Sequence, residues 1–467
     1  MTIPLFDGSL SGVTVVFLLA ALAVALSFEF VNGFHDTANA VATVIYTRSL
    51  DPHTAVAWSG LCNFLGVYLG GTAVAFSIMN LLPVEVLVNT DHGAGLAMVL
   101  ALLVAAIAWN LGTWYLAIPA SSSHTLVGAI LGVGLANAVL NGRSLGSGVN
   151  WDKVSQIGFS LFLSPLVGFV CAGALLLIFK GLARHPKLYE PASLNERPPM
   201  WVRGTLLATC TGVSLAHGSN DGQKGIGLLM LILIGFLPAH YALNPAHDVA
   251  EVSRLVAADD ALLGLFEKHA AGSERSALRE GLASVRATLA GKHRLSEVPL
   301  AERWPLRARL IVIDKALDAL QKAPPAGLAE GELSEIRTAR SALRGAVYYA
   351  PTWVLASVAL SLGLGTMIGW KRIVVTVGER IGKTHLSYAQ GAAAEIVAAG
   401  TIGLADFGGL PVSTTHVLSS GVAGTMAASG AGLQYHTVRT IALAWLLTLP
   451  VSMALSALLF ALFRQIV

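Results

Sequence analysis

Charged side chains are scarce in this chain. They make up 12% of its 467 residues, against roughly 25% in an average soluble domain, and that deficit excludes a water-facing surface over most of the length. Cysteine is nearly absent. Cys62, Cys171 and Cys210 lie in or beside apolar runs, at spacings that match neither a disulfide framework nor a metal site. No large excess of one charge sign exists either. The net charge is +3 and the basic residues are scattered, with no aromatic-interleaved basic stripe, which argues against nucleic acid as a partner. Before the first apolar run stands Asp7 and no Lys or Arg, so the basic region of a cleaved secretion signal is missing and the run is expected to be retained.

What is plentiful is hydrocarbon. Hydrophobic residues reach 54%, and the stretches Gly12–Phe30, Ala55–Leu82, Gly95–Ile118, Ile157–Phe179, Tyr348–Ile368 and Ile441–Phe463 each approach or exceed a membrane crossing, for which about 20 apolar residues suffice. The expected fold class is an all-α polytopic membrane protein of about 10–12 hydrophobic segments, some of them broken or re-entrant.

The chain divides as follows: 1–180, a first transmembrane repeat; 181–200, a polar, Pro-containing link; 201–239, the start of a second repeat; 240–344, a charged insert rich in Ala, Leu, Glu and Arg; and 345–467, the rest of the second repeat. Within the insert, Leu306–Gln321 places apolar residues near helical spacing, as in a small soluble helical bundle.

An internal repeat underlies this division. Asn32-Gly-Phe-His-Asp-Thr-Ala-Asn39 aligns with His217-Gly-Ser-Asn-Asp-Gly-Gln-Lys224, so that Asp36 matches Asp221, His35 matches Asn220 and Asn39 matches Lys224. Pro119-Ala-Ser-Ser-Ser-His124 aligns with Pro411-Val-Ser-Thr-Thr-His416. Asp36 and His124 are 88 residues apart; Asp221 and His416 are 195 apart, or 90 once the 105-residue insert is removed. Two motifs recurring in one order at nearly one spacing point to duplication. In transporters such repeats are often inverted in topology, with the substrate site between them. Segments 1–11 and 83–93 lack Lys and Arg and read as outside; Arg48, the 180–203 link and the 371–383 stretch, both rich in Lys and Arg, read as inside. The link is then cytoplasmic and the insert periplasmic.

Asp36 and Asp221 interrupt apolar runs, where an Asp costs about 2.5–3.5 kcal/mol at a helix centre. Such carboxylates face a cavity or ion path, or cap a broken helix. Gly33, Gly218 and Gly222 beside them suit either an unwound turn or close helix packing. An unwound turn would make Asp36, Asn39, Asn220 and Asp221 ion-site residues. Pro119 and Pro411 can open helices whose first turns carry Ser121, Ser122 and Ser123, and Ser413, Thr414 and Thr415. Hydroxyls and free N–H groups at a positive helix end suit a tetrahedral oxyanion, and equally serve as ordinary caps. His35, His124 and His416 titrate near neutrality, so proton relay stands beside plain packing as their role.

These residues resemble those of the Pit-type inorganic phosphate transporters along nearly the whole chain. The likeness is carried by "NGFHDTANAVATVIYTR", "WNLGTWY", "PASSSHTL", "HGSNDGQKGIG" and "PVSTTHVLSSGVAGTM", and is strongest to the bacterial low-affinity branch. The resemblance implies a multi-pass inner-membrane symporter for phosphate, working by alternating access and coupled to protons. It implies phosphate binding by the two hydroxyl triplets, and admits as cargo a neutral complex of Mg2+, Ca2+ or Zn2+ with hydrogen phosphate. The expected surroundings are the bilayer and a second copy of the chain, with no resident cofactor. Sodium-coupled relatives carry Asn-Asp in both turns, a second Asn in each, and a Glu in each half. Here the first turn has His35-Asp36, the second has Lys224, and only Glu395 matches a Glu, Asn63 standing at the other position. Two rivals remain: a sulfate permease of similar build, and a membrane phosphotransferase with a His nucleophile. No nucleotide motif favours the enzyme, and carboxylate acceptors favour phosphate, which can donate a proton where sulfate cannot.

Overall fold

The computed structural model describes residues 11–81, 92–183, 185–192, 197–250, 272–322, 324 and 329–466. Most of the two segments read as outside, 1–10 and 83–91, and Arg184 of the link lie outside the described residues. Among those described the structure is helical; β-contacts are isolated bridges such as Pro191 with Ser387.

The helices before the insert are α1 (Gly12–Asp36), α2 (Ala38–Tyr46), α3 (Pro52–Leu69), α4 (Ala73–Met79), α5 (His92–Tyr115), α6 (Ser122–Leu140), α7 (Trp151–Leu182) and α8 (Met200–Phe236). Within the insert lie α9 (Gly272–Leu289), α10 (Leu300–Lys322) and α11 (Glu330–Val347). After it come α12 (Thr352–Thr366), α13 (Tyr388–Phe407), α14 (Thr414–Ser429) and α15 (Tyr435–Phe463).

Five spans are long and apolar enough to cross a bilayer: Gly12–Tyr46, Ala94–Tyr115, Ser122–Leu140, Trp151–Leu182 and Tyr435–Phe463. The pair α3 and α4, bent by 80°, adds a broken span. On α7, Phe159, Phe162, Leu166 and Val170 form an exposed stripe at helical spacing, an apolar patch that only lipid or another apolar partner can cover. The protein is membrane-embedded and multi-pass.

Two compact units are formed. One comprises Leu10–Ile232 with Pro351–Val467, and the other is built around Leu233–Ala350.

In the membrane unit, helices meet through glycine. A Cβ on Gly132 of α6 would strike Met453 O of α15, and one on Gly424 of α14 would strike Phe169 O of α7. Gly33 of α1 lies on Leu362 O of α12, and Gly218 of α8 on Asn63 O of α3. These pairings are reciprocal. In each half the helix that follows a hydroxyl triplet packs on the last long helix of the other half, and the helix with the acidic turn packs on the other half's next helix. Without a solvent-driven hydrophobic force inside lipid, such close backbone approach is what holds membrane helices together.

The smaller unit has its own apolar core, in which Leu282, Val285 and Leu289 of α9 meet Leu306, Leu310, Ile313 and Leu317 of α10 and Ile336 and Leu343 of α11. The buried Arg307 donates from Nη1 to Ala242 O (2.7 Å) and Val347 O (2.5 Å). Asn244 N donates to Ala346 O at 2.9 Å, so the two ends of the insert lie side by side.

Candidate functional site

The hydroxyl triplets open α6 and α14 in the same way. Ser121 is the N-cap of α6, its Oγ accepting from His124 N at 3.2 Å; Ser413 is the N-cap of α14, its Oγ accepting from His416 N at 3.1 Å. Each cap fills one of the orphan donors of a first turn. Pro119 and Pro411 stand two residues before the caps, ahead of the helices that they were expected to open.

The acidic turns differ from expectation. No unwound loop surrounds either aspartate. The first turn is interrupted only at Thr37, whose backbone stays helical (φ −51, ψ −39) while its Oγ1 donates to Gly33 O and Thr366 O. The second lies wholly within the continuous helix α8. Gly33 and Gly218 are used for close helix contact, which leaves the i→i−4 ladder intact. The expected carbonyl-lined ion sites are therefore absent at these positions among the described residues.

Side chains meet instead. Asp36 and Asp221 are buried; Asp36 meets both hydroxyl triplets and Asp221 the first. Ser122 Oγ lies 2.9 Å from Asp36 Oδ2 and 3.3 Å from Asp221 Oδ2. Thr415 Oγ1, from the other half, donates to Asp36 Oδ1 at 2.6 Å. Asn39 Nδ2 donates to Thr415 Oγ1 at 3.0 Å, and its repeat partner Lys224 donates from Nζ to Ser123 Oγ at 2.5 Å. Ser123 and Thr415 are themselves repeat partners, so each half's acidic turn braces the other half's hydroxyl helix. Lys224 Nζ also donates to Asp221 Oδ1 at 2.6 Å. Ser123 Oγ reaches on to Val412 O at 2.8 Å. Thr414 is buried in the same first turn of α14.

Sequence reasoning passed over His217. It is buried, its Nδ1 stands 3.0 Å from Asn63 Oδ1, and its Nε2 faces Asp36 Oδ2 at 3.8 Å and Asp221 Oδ2 at 3.6 Å. Those separations exceed a hydrogen bond, and the three groups stand close enough together to share one cation. Asp406 was also passed over. Asn220, expected at an ion site, donates to Asp406 Oδ1 at 2.6 Å and accepts from Val412 N at 3.4 Å, so it clamps the loop leading into α14. Ser219 donates to the same carboxylate.

The remaining histidines separate into two roles. His35 Nδ1 stands 3.2 Å from Asp36 Oδ1 and its Nε2 stands 3.1 Å from Thr113 Oγ1. His124 and His416 lie ring against ring at 4.5 Å, and His416 stacks on Trp445 at 4.1 Å. His124 Nδ1 meets Ser121 Oγ at 2.9 Å. Neither of this pair hydrogen-bonds a carboxylate among the described residues. Glu395 lies apart from the aspartates, buried on α13, where it accepts from the hydroxyls of Thr43 and Thr209.

The arrangement thus offers hydroxyl donors, an ammonium and two positive helix ends to an anion, with two carboxylates beside them. A profile of the phosphate transporter family matches residues 32–456. The chain belongs to that family. It is 42% identical to the low-affinity inorganic phosphate transporter PitA of Escherichia coli K12, with 97% of each chain covered, and 41% identical to PitB of the same organism, with 97% and 98% covered. A probable low-affinity inorganic phosphate transporter of Bacillus subtilis is 28% identical. Among solved structures, one titled the sodium-dependent phosphate transporter shares the fold at a TM-score of 0.55 and 22% identity, covering 97% of this chain and all of its own. Membership of this family makes the chain a transport protein and not an enzyme, and disposes of the phosphotransferase alternative.

Proposed function

We propose that the chain imports inorganic phosphate across the inner membrane as a proton-coupled symporter. The observation that supports this best is the mutual bracing of the halves: Thr415 and Asn39 join at Asp36, while Ser122, Ser123 and Lys224 join at Asp221. An entering oxyanion takes over the hydroxyl donors that the carboxylates now hold, at the N-termini of α6 and α14. Two inverted repeats hinging about this meeting point give alternating access, with the link 181–200 and the basic 371–383 stretch cytoplasmic and the insert periplasmic.

Lys224 argues against sodium. A sodium ion at the second turn faces an ammonium already paired to Asp221, and two unit charges about 4 Å apart repel by roughly 4 kcal/mol at an effective dielectric near 20. A divalent ion meets the same ammonium at Asp221, so cargo in the form of a neutral complex with hydrogen phosphate would bring its metal to the Asp36 and His217 side of the group that these two residues form with Asp221. Relatives named as low-affinity inorganic phosphate transporters support the choice of cargo.

Phosphate uptake into proteoliposomes tests the reading when sodium, proton and divalent-metal gradients are varied one at a time. The reading expects uptake that persists with choline in place of sodium, rises with an inward proton gradient, falls on metal chelation and ignores excess sulfate. Uptake that collapses without sodium and is indifferent to the proton gradient contradicts it.

A further inference from the structure

A further acid lies near this site, and none of the hydrogen bonds described above reaches it. Glu29 stands on α1 two turns before Asp36 and is fully buried. Neither of its carboxyl oxygens accepts a hydrogen bond among the described residues. The Asn32 side chain, one turn further along, is within its reach, and Asn32 Oδ1 is likewise without a donor. Three buried oxygens one helical turn apart on α1, two of Glu29 and one of Asn32, thus lack a hydrogen-bond donor.

The neighbouring elements supply none. The charged groups that face Glu29 are Asp221, Lys224 and His217, all from α8. Lys224 Nζ is committed to Asp221 and Ser123, while His217 is held by Asn63 and turned towards the aspartates. Gly225 of α8 presents bare backbone so close to the carboxyl that a Cβ there would overlap Glu29 Cδ and Cγ. The other elements packed on α1 are α2, α5, α6 and α12; α2 carries no acid or base, and α6 only His124, which lies against the His416 ring. α12 carries no acid or base, and α5 none between His92 and Tyr115 at its ends.

A buried carboxylate with no donor is expensive in free energy, and a buried amide oxygen without one also carries a cost. One added proton serves both, because Oε–H then donates to Asn32 Oδ1. The Asn32 amide continues the chain: its Nδ2 donates to Asp221 Oδ2 at 3.4 Å. We propose that Glu29 is the proton-carrying residue of the symport, and that Asn32 ties its protonation to Asp221 and so to the substrate site.

The step balances without a redox partner. A proton from water on the high-proton side forms the Oε–H bond of Glu29, and the same bond breaks to water on the other side after the anion has left. With the proton in place, Asn32 is held and its amide steadies Asp221. Without it, a third negative charge stands beside the two aspartates and disfavours an incoming anion, so proton and anion bind with positive coupling.

This inference rests on the proton-coupled reading, and the experiment separates the two. Native protein, Glu29→Gln and Glu29→Asp are reconstituted, and phosphate movement is followed with a phosphate gradient alone and with an imposed pH gradient. Glu29→Gln imitates the protonated form. It is expected to pass phosphate down its own gradient but to lose accumulation driven by the pH gradient, whereas Glu29→Asp keeps that response at a rate about tenfold lower or better. Native-like accumulation by Glu29→Gln overturns the proposal. Loss of all phosphate movement by both variants, in protein that inserts and elutes normally, assigns Glu29 a structural role and also overturns it. If the native protein itself ignores the pH gradient, the proton-coupled reading fails first and takes this inference with it.

Discussion

The two acidic turns align in sequence and are built differently. In the first, Asn39 is neutral, its amide reaches Thr415, and the helix is interrupted at Thr37. In the second, Lys224 reaches Ser123, pairs with Asp221, and leaves α8 unbroken. One half therefore braces its neighbour with a neutral hydrogen bond, and the other with a charge. The contrast shows that a repeat can keep its geometry while the electrostatic load moves to one side.

The largest effects should come from the carboxylates themselves. Asp36→Asn and Asp221→Asn are each expected to abolish net uptake while the protein still inserts, since Asp36 anchors the Ser122 and Thr415 hydroxyls and Asp221 is one partner of a buried charged pair, whose breaking costs about 3–5 kcal/mol. Near-normal uptake by either variant in proteoliposomes would move the site elsewhere. Next, the asymmetry can be measured. Lys224→Asn leaves Asp221 without its charge partner and should cost more than a hundredfold in uptake, in keeping with about 3–5 kcal/mol. Asn39→Ala loses a neutral hydrogen bond worth about 1 kcal/mol and should cost about fivefold. Equal losses would erase the distinction between the halves.

A smaller effect is expected on stability alone. Gly424→Ala drives a methyl group into Phe169 O between α14 and α7 and should destabilise by about 1–3 kcal/mol, read as a lower melting temperature in detergent; an unchanged melting temperature would show that the two helices can part without cost. The smallest effect should follow removal of residues 245–345. Because Asn244 N and Ala346 O are 2.9 Å apart, a short flexible link closes the gap, and the removed part takes most of its own core with it, leaving Ala242, Leu243, Ala346 and Val347. Transport should remain measurable, and complete loss in correctly inserted protein would make the insert part of the machine.

Much of the fold could be read directly. Apolar runs marked four of the five spans, Ser122–Leu140 standing outside them, and the segment Leu306–Gln321 is helical with Leu306, Leu310, Ile313 and Leu317 buried. The hydroxyl triplets were legible because Ser, placed before an apolar run, is a cap by its own chemistry. Other features were not, for physical reasons. Glycine beside an acid serves unwinding or close packing equally, and only the partner backbone at Leu362 or Asn63 decides which. His217 carries no local signal: its meaning depends on Asn63 from α3 and Asp36 from α1 arriving around it. Asp406 sits at the end of α13, where a carboxylate looks like a solvated terminus until Asn220 and Ser219 close on it. Glu29 stood in an apolar run with nothing to mark that its oxygens lack donors.

The central claim is that phosphate is held where the two hydroxyl helix starts meet the two aspartates. Equilibrium binding of radiolabelled phosphate to purified protein tests it most directly, comparing the native chain with Ser122→Ala, Thr415→Ala and the double variant. Each single change removes a hydroxyl that donates to Asp36, and a hydrogen bond to a charged group is worth about 1.5–3 kcal/mol. The account predicts that each single variant weakens binding by about tenfold or more and that the double variant weakens it further. Unchanged phosphate affinity in the double variant would contradict it.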